Sequence, residues 1–199
     1  MASALMKKIL KLYIDLVDRF NGVMGFICSI LTIFMVLNVF VVVALRYGFS
    51  IGRIWMQELY VWTHAFVFLA ASGYTLRDNG HVRIDLIYGT RSSRTKAIVN
   101  LLGSFFFALP FLGFLWKWSL PMVVRSFGNL EKSSEAGGLP GLYVLKGAIL
   151  VFCITVGLQV SALIIRALLT LFTDENYFPE ERHKVNQASE PQPLGSEAV

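Results

Sequence analysis

Four stretches of the chain, residues 20–45, 59–76, 97–116 and 147–165, contain no Asp, Glu, Lys or Arg. Each holds 18 to 26 residues, and at about 1.5 Å per residue a helix of that length crosses a hydrocarbon layer roughly 30 Å thick. The pattern predicts an all-α membrane protein with four transmembrane helices. Ahead of the first run, Leu5, Ile9, Leu12, Tyr13, Leu16 and Phe20 recur at helical spacing, with Lys7, Lys8, Lys11, Asp15 and Asp18 on the other faces. That periodicity predicts an amphipathic helix over residues 4–19 lying in the membrane interface, the alternative being a solvated extension of the first span. A cleavable signal would need an apolar core of about 7 to 15 residues, so the 26-residue first run reads as an anchor.

Composition strengthens this picture: 55% apolar, 14% aromatic and only 16% charged residues in 199 is too apolar for a soluble domain. The net charge of +5 is uneven, because residues 174–199 carry six acids against Arg182 and Lys184, leaving +9 on the rest. Residues 1–173 are therefore expected to form the membrane domain, and 174–199, acidic and rich in proline, a mobile cytoplasmic tail. Twelve Lys and Arg flank one set of span ends (N-terminal segment, middle loop, C-terminal segment) and six the other. By the retention of basic residues inside, both termini are expected in the cytoplasm. The basic excess thus speaks of topology and not of nucleic acid. Trp55, Tyr60, Trp62, Trp116 and Trp118 would form aromatic belts at the outer surface. Pro110 should kink the third span, and residues 119–146, with Ser133, Ser134, Gly137, Gly138 and Pro140, form the longest loop.

Candidate chemistry is sparse. A transporter acting alone keeps an ionisable group at membrane depth for its substrate or coupling ion, and the four runs hold none, so transport chemistry is expected in a partner. His64 and His81, 17 positions apart, would stand about 25 Å from each other on a helix and cannot share a haem. No other span contains His, and His64 reads as a hydrogen-bonded packing residue. Cys28 and Cys153 lie inside apolar runs and behave as small hydrophobes, so neither a disulfide nor a metal site is expected. Asn38, Ser72, Ser104, Thr155, Gln159 and Ser161 suit interhelical hydrogen bonds. Glu58, at the start of the second span near Arg53, reads first as an ion-pair or helix-capping group. Arg77, Asp78, His81, Arg83 and Asp85 crowd around Gly80, either as an ordinary polar loop or as a clamp. No cofactor site and no enzymatic constellation is recognisable.

The order Arg46, Trp55-Met56-Gln57-Glu58-Leu59, Gly73 and His81-Val82-Arg83-Ile84-Asp85 resembles the small membrane subunit of TRAP (tripartite ATP-independent periplasmic) transporters. Ser126, Glu131, Ser134, Gly138-Leu139-Pro140, Lys146 and Leu158-Gln159 extend the likeness toward the subgroup labelled for mannitol or chloroaromatic compounds. The resemblance covers about residues 10 to 170. It implies a bacterial inner-membrane subunit of a sodium-driven system in which a periplasmic binding protein delivers organic anions to a large elevator-type membrane subunit. The small subunit would brace that partner and offer outer surface to the binding protein, with the motif residues as interface candidates. Two other readings stay open: a self-assembling small exporter, which would normally carry a carboxylate within a span, and the membrane anchor of a redox enzyme.

Overall fold

A single unbroken helix, α1 (Ala2–Phe49), takes in both the amphipathic stretch and the first apolar run. The computed structural model describes residues 2–78, 80, 92–173 and 177–178, and every regular element among them is helical. After α1 come α2 (Ile54–Ala70), α3 (Ser72–Arg77), α4 (Ser93–Gly103), a π-helical turn (Ser104–Ala108), α5 (Leu109–Gly128) and α6 (Leu142–Thr173). At 48 residues, α1 is about 72 Å long, more than twice a hydrocarbon layer. No turn separates an interfacial helix from a span, so the two expected elements are one.

Among the described residues, three helices are long and apolar enough to cross a membrane: Leu5–Phe49, Ser93–Gly128 and Leu142–Thr173. The second apolar run is divided at Ala71, leaving α2 with 17 residues and α3 with six. The helical ladder nevertheless continues through the division. Ala71 N–H donates to the Val67 carbonyl at 3.0 Å, and Thr75 N–H to the Ala71 carbonyl at 2.9 Å.

Pro110 does not stop the third helix. Its ring would clash with the carbonyl four residues earlier, that of Phe106, and this carbonyl lies in the π-helical turn, where the wider ladder makes room. The helix then runs to Gly128, twelve residues past the expected end of the run at Trp116, with Pro121 inside it. The expected loop of residues 119–146 therefore contracts to 129–141, because Leu120, Met122, Val123 and Val124 continue the apolar pattern beyond the two tryptophans.

Packing is centred on α6, which touches every other helical segment and contributes ten buried residues. α1 turns a narrow seam inward: Ile14, Val17, Asn21, Cys28 and Asn38 are buried, and Met24, Leu31, Met35, Val42 and Leu45 are half-buried between and beyond them. These positions alternate in steps of three and four, the 3.5-residue repeat of a helix that keeps one seam against its neighbours. The stripe expected to be apolar on the amphipathic segment, Leu5, Ile9, Leu12, Leu16 and Phe20, remains exposed, while Ile14 and Val17 pack on Ala162, Leu169 and Tyr177. Phe178 packs on Ala97 and Ala167. Tyr177 and Phe178 thus pack on the bundle; the rest of the expected tail, residues 174–176 and 179–199, lies outside the described residues.

Candidate functional site

Among the described residues, the polar side chains that bond between elements form two centres; Asn38 is buried in neither, and its Oδ1 has no partner there. The first lies where α2 begins, α5 ends and α6 begins. Glu58, on the first turns of α2, accepts a hydrogen bond from Ser133 Oγ on one oxygen and from the Leu139 backbone N–H, at 2.6 Å, on the other. It neither caps α2, whose N-terminus has no side-chain cap, nor pairs with Arg53. The capping expectation fails because the loop brings a backbone donor and a hydroxyl to the carboxylate. Gly138 is required by this approach, since a Cβ there would stand 2.6 Å from Ser133 Oγ and 2.7 Å from Glu58 Oε2. Beside it, Glu131 Oε2 accepts from Lys146 Nζ and from Ser126 Oγ, each at 2.5 Å. The Lys146 hydrogen bond first, then that of Ser126, holds the Glu131 carboxyl below its ordinary range. An open cleft of about 410 Å³ lies here, lined by Met122, Arg125, Ser126, Asn129, Glu131 and Lys146.

The second centre sits toward the other end of α6. Arg166 is 20 residues beyond Lys146, about 30 Å along the helix and so close to one hydrocarbon thickness away. Asp18 of α1 pairs with Arg166 through one carboxylate oxygen and accepts from Gln159 Nε2 at 3.0 Å on the other. Gln159 Oε1 accepts from Asn21 Nδ2 at 2.8 Å. Arg77, at the end of α3, donates to the Asp18 backbone carbonyl at 3.0 Å and pairs with Asp78. Asn21 and Gln159 are essentially inaccessible, and Arg166 is 4% exposed. Asn21 Oδ1 and Arg166 Nε have no hydrogen-bond partner among the described residues. The backbones approach closely here: a Cβ on Gly73 would lie 2.8 Å from the Thr155 carbonyl and 2.4 Å from Asn21 Oδ1. Tyr13 and Ser161 add a hydroxyl pair at 2.7 Å.

Of the motif residues, Glu58, Glu131, Gly138, Leu139 and Lys146 come together at the first centre, and Gln159 joins the second. Arg46, Trp55 and Pro140 are exposed and enter neither network, and His81 and Asp85 lie outside the described residues. His64 is exposed on α2 and has no hydrogen-bond partner among the described residues, contrary to the packing role expected. Asp18, Asn21 and Arg166 were not anticipated. Asn21 continues the three-and-four spacing of Ile14, Val17 and Asp18's side of α1, and Gln159 and Arg166 stand seven apart on α6. Those two spacings are the signals that could have paired them.

Long apolar helices whose polar groups turn toward one another, and whose outer faces are apolar, define an integral membrane helix bundle. Within that class the chain belongs to the tripartite ATP-independent periplasmic transporters, DctQ component, whose family model matches residues 35–173. It is therefore a small membrane component of a transporter and not a member of an enzyme family. Systems of this kind also have a large membrane subunit and a periplasmic binding protein. No curated protein and no solved structure is significantly similar to the chain.

Proposed function

We propose that this chain is the fixed, non-catalytic small subunit of a sodium-driven, binding-protein-dependent carrier of organic anions, of the carboxylate or sulfonate type. It braces the large elevator subunit and presents its outer loops to the binding protein. In this reading α2 and α3 act as one span, since their 24 residues from Ile54 to Arg77 extend about 36 Å, giving four spans in the bacterial inner membrane. Both termini lie in the cytoplasm, and the apolar stripe from Leu5 to Phe20 lies along the inner surface. The likeness of Ser126, Glu131, Ser134, Gly138-Leu139-Pro140, Lys146 and Leu158-Gln159 supports placing the chain in the subgroup labelled for mannitol or chloroaromatic compounds.

The observation that carries the reading is the uneven burial of the two outer helices. Phe26, Ile30 and Phe40 of α1, Phe107 of the π-helical turn and Phe114 and Trp118 of α5 are all more than half exposed. Tyr13, Asp18 and Asn21 of α1, by contrast, bond to α6. Such walls suit lipid on part of their area and a larger membrane protein on the rest. Gentle solubilisation of the tagged chain should recover a large multi-span protein with it. Recovery of the chain alone would sink the reading, and a Soret band in the purified chain would favour the redox-anchor alternative.

A further inference from the structure

We propose that the cleft beside Glu131 receives an acidic side chain of the periplasmic binding protein, with Arg125 as its contact. The inference rests on the docking role proposed above and gives it a chemistry. Within the cleft, the Lys146 ammonium and the Ser126 hydroxyl are both committed to Glu131 Oε2. Arg125 is exposed, and its guanidinium has no partner among the described residues; the Asn129 side-chain amide is equally uncommitted. Glu131 and Lys146 neutralise each other, so the cleft carries the uncompensated positive charge of Arg125. A guanidinium offers paired N–H donors that match a carboxylate, and the neighbouring amide adds a further donor.

The walls are held in place before any partner arrives. Glu131 N–H donates to the Ser126 carbonyl at 3.1 Å, Ser133 N–H to the Leu139 carbonyl at 3.1 Å, and Glu58 ties the same loop to α2. A protein carboxylate is favoured over a lipid phosphate by position. Arg125 lies seven residues past Trp118, about 10 Å farther along the helix than the last tryptophan of the expected interfacial belt. Its cleft is floored by the loop that follows α5.

The test uses the complex of this chain with its large subunit in proteoliposomes, with uptake measured against the concentration of loaded binding protein at two salt concentrations. R125E should raise the half-saturating concentration about tenfold and R125Q about threefold, with the maximal rate unchanged and the salt dependence reduced. R125K, which keeps the charge and loses the paired donors, should fall between wild type and R125Q. Unchanged half-saturation in R125E and R125Q, with normal assembly, overturns the inference and leaves the subunit reading standing. Loss of a bound anionic phospholipid in R125E by native mass spectrometry, with half-saturation unchanged, also overturns it and assigns the cleft to a lipid phosphate. Absence of uptake with the wild-type complex overturns both.

Discussion

Both oxygens of Glu58 are committed to the loop after α5, one to a hydroxyl and one to a backbone N–H. A carboxylate so placed supplies two charge-assisted hydrogen bonds that fix a segment more than seventy residues away in sequence. Gly138 leaves the space for it, and G138A should force Ser133 or Glu58 aside, loosening the loop. Glu131 adds a pH dependence. Its carboxyl is held below the ordinary value of 4.5, so the stabilisation is complete above that value and disappears as pH falls through the depressed one. Amide-exchange protection factors for residues 131–139 should therefore fall below pH 4.5 in the wild type. E131Q should show the same reduced protection at pH 7; full protection in E131Q would remove Glu131 as the cause. Motif residues such as Glu58 and Gly138 could be singled out from the sequence, but their partners could not. Nothing local to Glu58 distinguishes a cap from a loop staple.

The contact of α3 and α6 depends on Gly73, because a Cβ at that position would meet the backbone of Thr155 and cannot be accommodated by a side-chain rotation. G73A should separate the helices at a cost of about 1–3 kcal/mol, read as a lower midpoint in thermal unfolding of the purified chain. An unchanged midpoint would mean that the approach is looser than described. Asp18 and Arg166 join α1 to α6 in the same region, with Arg166 the more deeply buried partner. Breaking a buried pair is costly because the remaining charge stays uncompensated. D18N, which strands the buried guanidinium, should cost about 3 kcal/mol. R166Q should cost less, since the side chain of Asp18 is 26% exposed and reaches water. The reverse order would point to Asp18 as the buried charge. Element boundaries were only partly legible. The apolar runs located α1, α5 and α6, yet a charge at a run's edge, Arg166, reads in one dimension as the end of a helix. In the bundle α6 continues to Thr173, and Arg166 turns back to Asp18.

Across the whole molecule, the two polar centres lie at opposite ends of α6, with the apolar stretch of the bundle between them. If the loop end is periplasmic, a single cysteine at Ser134 should react with an impermeant reagent in intact cells. One at Ser92, beside the N-terminus of α4, should react only after the membrane is opened. The opposite result would invert the topology. The sequence by itself determined the membrane class and the family, because hydrophobic length and the order of Trp55, Glu58 and Gly138 are one-dimensional quantities. It also located Gln159 as a polar group at depth. Only the tertiary structure decided that Gln159 reaches Asp18 and Asn21, that Glu58 holds a loop, and that Arg125 has no partner among the described residues. Those outcomes depend on which groups meet across segments more than seventy residues apart, and helical periodicity specifies a face without specifying what packs against it.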